Sequence, residues 1–170
     1  MEKKLLFLLI GLFIFLSFGY SQTKDDYYEF GGTYCTVRGS DDSFSGWGLN
    51  LAGITYYSNT VGLGVYGNVV YAEPYKNITV IFSNMLLGPS FKFLRTEQFS
   101  IPIAFGVSGV YGLVVGGGEM LQAFNVGVGA NLTVEVKLSE TMHLYGRIQG
   151  AYGFLGEGSL VIAPSIGIGF

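Results

Sequence analysis

Across residues 160–170 the side chains alternate with a period of two. Leu160, Ile162, Pro164, Ile166, Ile168 and Phe170 share one parity, and Val161, Ala163, Ser165, Gly167 and Gly169 share the other. A strand sends successive side chains to opposite faces, so this stretch is predicted to be a β-strand with one large apolar face, one small face and an aromatic residue at its end. A strand of this kind needs apolar surroundings on one side and a tight interior on the other.

The same period recurs along the chain. Further strands are predicted near residues 28–37, 44–56, 61–71, 78–94, 99–113, 121–137 and 144–154, separated by Gly-, Asn-, Ser- and Asp-containing turns. Loops are expected at residues 72–77 and 114–120. In the segment 121–137, Phe124, Val126, Val128, Leu132, Val134 and Val136 alternate with a polar ladder of Asn125, Gly127, Gly129, Asn131, Thr133, Glu135 and Lys137 that suits a barrel lumen better than a soluble surface. In the fourth segment Met85, Leu87, Phe91 and Phe93 fit one parity while Ile78, Val80 and Phe82 fit the other, so a β-bulge near Ser83 or Asn84 is expected. Pro89 and Pro164 fall inside predicted strands, where bulge or rim positions would accommodate the missing N–H.

The chain of 170 residues is 49% hydrophobic and only 12% charged. Beyond its N-terminus no apolar run approaches the ~18 residues of a spanning helix, so hydrophobicity is distributed through alternation. About eight strands of ten or more residues are the number and length of a small closed barrel that crosses a bilayer. An even strand count would leave both termini on the periplasmic side, with short loops facing outward.

Alternation alone does not decide which face points inward, because soluble ligand-binding barrels place their apolar face inside. Here the second face consists mainly of Gly, Ala, Ser, Thr and Asn, with few of the Lys and Glu residues that solubilise an exterior. Small and polar side chains suit a narrow lumen. The fold class expected is therefore all-β, a transmembrane antiparallel up-and-down barrel with its large apolar face toward lipid. An exported soluble barrel holding an apolar ligand is the opposite arrangement. Aromatic residues gather near strand ends, with Phe30, Tyr56, Tyr57, Phe93, Phe99 and Phe170 expected at one interface and Trp47, Tyr71, Tyr111, Tyr152 and Phe154 nearer the other.

At the N-terminus Glu2, Lys3 and Lys4 precede an apolar stretch ending at Phe18, followed by Gly19, Tyr20 and Ser21. This has the organisation of a secretory signal peptide, residues 1–21, cleaved after Ser21 to leave a barrel domain over residues 22–170. The single cysteine, Cys35, excludes an intramolecular disulfide and is read as a small wall residue.

Export signal, alternating strands and the closing Ile166, Ile168 and Phe170 pattern together resemble the small outer-membrane β-barrels of OmpA/OmpX type. The resemblance covers nearly the whole mature chain. It implies residence in the bacterial outer membrane, the lipid bilayer as a partner, and insertion by the barrel-assembly machinery, with Ile166, Ile168 and Phe170 as the C-terminal signal. A peptidoglycan-binding domain, and with it a cell-wall tethering role, is not expected.

The charged lumen candidates are Glu29, Lys92, Glu135, Lys137 and Arg147. Charges in a low-dielectric interior require partners, and Glu135 and Arg147, on neighbouring strands of one hairpin, are expected to pair. The network is read as a structural ion pair closing the lumen, or as the constriction of a narrow pore for ions or small solutes. A basic block suggesting nucleic acid is absent. Enzymatic activity is not expected, because the only histidine, His143, lies beside a predicted periplasmic turn and reads as a rim residue, with Ser139 the one nearby serine. One His, one Cys and dispersed carboxylates suggest no metal site, no cofactor is implied, and Gly116 to Gly118 lack the strand, helix and Lys context of a phosphate cradle.

Overall fold

Each alternating segment is a strand in the computed structural model: β1 (Asp26–Arg38), β2 (Ser43–Tyr56), β3 (Val61–Tyr75), β4 (Ile78–Arg95), β5 (Phe99–Gly116), β6 (Glu119–Lys137), β7 (His143–Gly153) and β8 (Ser159–Gly169). The structure describes residues 26–39, 43–154 and 158–170. The predicted signal peptide lies outside the described residues, as do residues 40–42 and 155–157 of two loops. Every strand pairs antiparallel with its sequence neighbours, and β1 pairs with β8, from Glu29↔Gly169 to Arg38↔Leu160, to close the barrel.

Two of the expected loops are mostly strand. β3 runs on to Tyr75, and Lys76 and Asn77 alone turn the chain, Asn77 adopting a φ of 67°. β5 and β6 meet through Gly117 and Gly118, whose φ angles of 61° and 83° are those of the tight turns that match the twist of paired strands. Glu73, Pro74 and Glu119 signalled loops by their chemistry. They lie within the ends of β3 and β6, where Glu73 accepts a hydrogen bond from the Tyr71 hydroxyl.

No bulge occurs at Ser83 or Asn84. β4 holds one register against β3 from Phe91 to Val80, and one parity points inward from Val80 through Phe82, Asn84, Leu86, Gly88 and Ser90 to Lys92. Apolar Val80 and Phe82 therefore lie inside the barrel. The register shifts fall elsewhere, between Ala72 and Tyr75 and between Lys92 and Leu94. Pro89 and Pro164 are held at neither a bulge nor a rim. Pairing with β5 lapses between Leu87↔Val107 and Ser90↔Ala104, and pairing of β1 with β8 lapses between Thr33↔Ser165 and Thr36↔Ile162, with the register unchanged across each gap. Each proline thus interrupts one ladder only, and the Thr33 hydroxyl donates to the Pro164 carbonyl at 3.0 Å.

The facing is apolar outward. Leu49, Val69, Val107, Val128, Leu132, Ile148 and Ile166 are exposed, Ile166 at 64%, whereas inward Arg147 is 2% exposed. Trp47 stands opposite Tyr71 on the outer wall, with the Tyr34 ring 4.6 Å from Trp47. Tyr57, Phe93 and Phe170 are exposed at the end where β1 begins and β8 finishes, the terminal end of the barrel. Tyr56 departs from its expected place in that belt: it points inward and is buried, because its parity is that of Ala52 and Ile54.

Candidate functional site

The lumen is stacked in three layers. At the loop end Cys35, Val70, Ala72, Val80, Phe82, Ala151, Val161 and Ala163 form an apolar cluster, with Phe44 meeting Phe82 edge-on at 5.6 Å. The middle layer is polar, with Asn50, Asn68, Asn84, Asn131 and Gln149 buried from five different strands. Toward the terminal end Ala52, Ile54, Tyr56, Tyr66, Leu86 and Ala104 pack together. Beyond them opens a vestibule of about 1090 Å³ lined in part by Tyr27, Lys92, Glu135, Lys137, His143 and Phe170.

Arg147 is the hub between the middle layer and the vestibule. Its Nε donates to Thr133 Oγ1 at 2.9 Å, Nη1 to Asn50 Oδ1 at 3.2 Å, and Nη2 to Glu29 Oε2 in an ion pair. The guanidinium carbon lies 4.7 Å from the Tyr66 ring centre and 4.9 Å from that of Tyr145, a stacking that its planar, weakly hydrated head favours. Asn50 Oδ1 also accepts from Tyr145 Oη at 2.7 Å, and Asn50 Nδ2 donates to Asn68 Oδ1 at 2.8 Å. Strands β1, β2, β3, β6 and β7 are thereby tied together across the interior.

The expected Glu135–Arg147 pair does not form. In the β6–β7 ladder Arg147 stands opposite Thr133, and Glu135 stands opposite Tyr145. Arg147 turns instead across β8, while Glu135 accepts a hydrogen bond from the Ser100 hydroxyl on β5. Lys92 points inward, with Nζ 3.8 Å from the Tyr56 ring centre and 4.3 Å from that of Tyr27. Lys137 is exposed at the vestibule rim, outside the network. Ile166, Ile168 and Phe170 all face outward and are exposed.

His143 is not a rim residue. It opens β7 on the same parity as Tyr145 and Arg147, is 7% exposed, and its ring lies 5.7 Å from that of Tyr27. Gly169, between His143 on β7 and Glu29 on β1, makes this position available: a Cβ there would collide with the imidazole and lie 3.0 Å from Glu29 Cγ. Over that gap His143 Nε2 comes within 3.4 Å of Glu29 Oε1. Glu135 joins them, so that Glu29, Glu135 and His143, dispersed in sequence, are all buried with one donor atom from each within 4.8 Å of the others. Its parity was the available signal for His143; the adjacent turn obscured it.

No family model matches the chain, and no curated protein matches it. Among solved structures it is similar to Neisserial surface protein A, with a TM-score of 0.72 and 13% identity over 85% of this chain and 95% of that one. It is also similar to Ail, the attachment invasion locus protein of Yersinia pestis (TM-score 0.59, 12% identity, 85% and 97% covered). A third likeness is to the outer membrane protein OprG of Pseudomonas aeruginosa (TM-score 0.56, 14% identity, 85% and 94% covered). With its closed ring of eight antiparallel strands, the chain has the fold of the small eight-stranded outer-membrane barrels.

Proposed function

We propose that this protein is an integral outer-membrane barrel with an occluded lumen, serving a structural or cell-surface interaction role rather than conduction. The observation that carries the reading is the outward apolar band around an interior closed by the Val80–Phe82–Val161 cluster and by the Arg147–Glu29 pair. A soluble monomer would expose that band to water, which favours a bilayer as its surroundings. Residues 119–124 of β6 extend past the end of β7, and this edge, with Met120, Leu121 and Phe124 exposed, supports a contact surface at the cell exterior. In this reading Ile166, Ile168 and Phe170 are the strand read by the barrel-assembly machinery, and an N-terminal signal peptide directs export.

The lumen contains one feature that favours a narrow pore. Tyr66 Oη, Asn68 Nδ2, Asn84 Nδ2, both amide atoms of Asn131 and of Gln149, and Ser165 Oγ are buried without protein hydrogen-bond partners. Groups of this kind hold internal water. The apolar cluster stands between this layer and the loop end, so water there does not by itself make a continuous path.

The test is a comparison of boiled and unboiled detergent-solubilised outer membranes by gel mobility, followed by planar-bilayer recording. A heat-dependent shift without steady conductance is expected. Steady conductance altered by Arg147→Ala would replace the occluded barrel with the pore, and recovery of a detergent-free periplasmic monomer would replace it with the soluble ligand binder.

A further inference from the structure

We propose that Glu29, Glu135 and His143 form a binding site for a divalent transition-metal cation at the floor of the vestibule. Three features of the cluster lead there. First, it combines an imidazole with two carboxylates, all buried, a donor set that suits Zn²⁺ and its neighbours. Second, the 3.4 Å between His143 Nε2 and Glu29 Oε1 is long for a hydrogen bond. It is close to the ~3.3–3.4 Å edge of a tetrahedron built with metal–ligand bonds of about 2.0–2.1 Å.

Third, Glu135 is a buried carboxylate whose hydrogen-bond donor is the neutral Ser100 hydroxyl, with Lys92 and His143 the cationic groups in electrostatic reach of it. Burying a carboxylate is costly, and a metal cation held directly against its oxygen would offset that cost. Each carboxylate is also oriented from behind. Arg147 holds Oε2 of Glu29, leaving Oε1 toward His143, and Ser100 holds Oε2 of Glu135. Outer partners of this kind position the ligands of metal sites. Because Glu135 and His143 line the vestibule, a cation reaches the site from the terminal end without passing the apolar cluster.

Three protein donors leave a fourth position for water. The chain contains one histidine, so any imidazole ligation in an untagged protein is His143. The test uses the full-length mature protein without a tag, folded in detergent, stripped with chelator and titrated with Co²⁺ while its d–d absorption is followed. Saturation at one Co²⁺ per barrel, with displacement by Zn²⁺, is expected. His143→Gln and Glu135→Gln should each weaken binding by more than about tenfold, since even outer-shell partners cost roughly 10–100-fold in affinity.

Both substitutions leave the Arg147–Glu29 pair in place, and the heat-dependent gel shift verifies that each variant is folded. Glu140→Gln, which alters a vestibule carboxylate outside the cluster, should bind as the unmodified protein does. Failure of the unmodified protein to bind one equivalent would overturn the site, as would undiminished binding by folded His143→Gln and Glu135→Gln.

Discussion

Arg147 reaches Glu29 across an intervening strand. In the closing ladders Arg147 stands opposite Ser165, and Glu29 opposite Gly169, so β8 separates them with Gly167 as the inward residue between these two positions. A Cβ at Gly167 would collide with the Phe30 carbonyl and the Gly31 Cα of β1, so glycine here lets the closing strand approach β1 closely beneath the pair. The ion pair therefore joins β7 to β1 over the strand that closes the ring, and its two members come from opposite ends of the sequence.

Replacing Arg147 by Met should destabilise the barrel strongly. It would leave the Glu29 carboxylate buried without its guanidinium, a change that costs about 3–5 kcal/mol in buried pairs. Arg147→Met combined with Glu29→Gln should recover much of this loss, because the stranded charge is gone. Urea-induced unfolding from lipid vesicles, followed by Trp47 fluorescence and gel mobility, measures both variants. Equal loss in the single and double variants would show that packing around the guanidinium, not charge, is the dominant effect.

Gly169→Ala should act through His143. The added Cβ would collide with the imidazole and press on Glu29, and overpacking of this kind costs about 1–3 kcal/mol. In a His143→Ala background the ring is absent, so the same substitution should cost much less. A double-mutant cycle reads the difference as a coupling energy, and additive effects would mean that backbone contacts at Gly169 dominate.

Substituting the stopper at the loop end should open the lumen. Val80→Ser with Phe82→Ser removes the one aromatic and one of the three valines from the outer cluster and extends the polar surface of the middle layer toward the exterior. A steady bilayer conductance is expected from the double variant and not from the parent. A silent double variant that retains the heat-dependent gel shift would show that Val80 and Phe82 are not what closes the passage.

How much of this was legible in the sequence follows from what a period of two encodes. It gives the face of a side chain, and so it located all eight strands and the outward placement of Ile166, Ile168 and Phe170. It does not require that the inward face be polar at every height, which is why Val80 and Phe82 suggested a bulge when they were following the parity of Asn84 and Leu86. Nor does it give neighbours beyond the hairpin. Glu135 and Arg147 are close along the β6–β7 turn, but Glu29 becomes the partner only once the β1–β8 register places Gly169 beside it. His143 was obscured by its position next to a turn. Its parity with Tyr145 and Arg147 placed it inward, and closure then carried it to two carboxylates from distant parts of the chain.

Leu132→Arg separates a lipid-facing wall from a soluble one. Leu132 is exposed on the outside of β6, and its inward neighbours Asn131 and Thr133 are buried. In a bilayer, Arg on the outer wall of a barrel costs roughly 2–4 kcal/mol at the midplane and about 0–1 near the interfaces. The same substitution on the exterior of a soluble barrel would be neutral or favourable, since it replaces an apolar group in water by a charged one. Unfolding measured in vesicles should therefore show Leu132→Arg as a destabilising change, with a smaller effect for Phe93→Arg at the terminal end of β4. If both variants are as stable as the parent and stay soluble without detergent, the apolar band is not a lipid contact, and a partner protein or ligand must cover it.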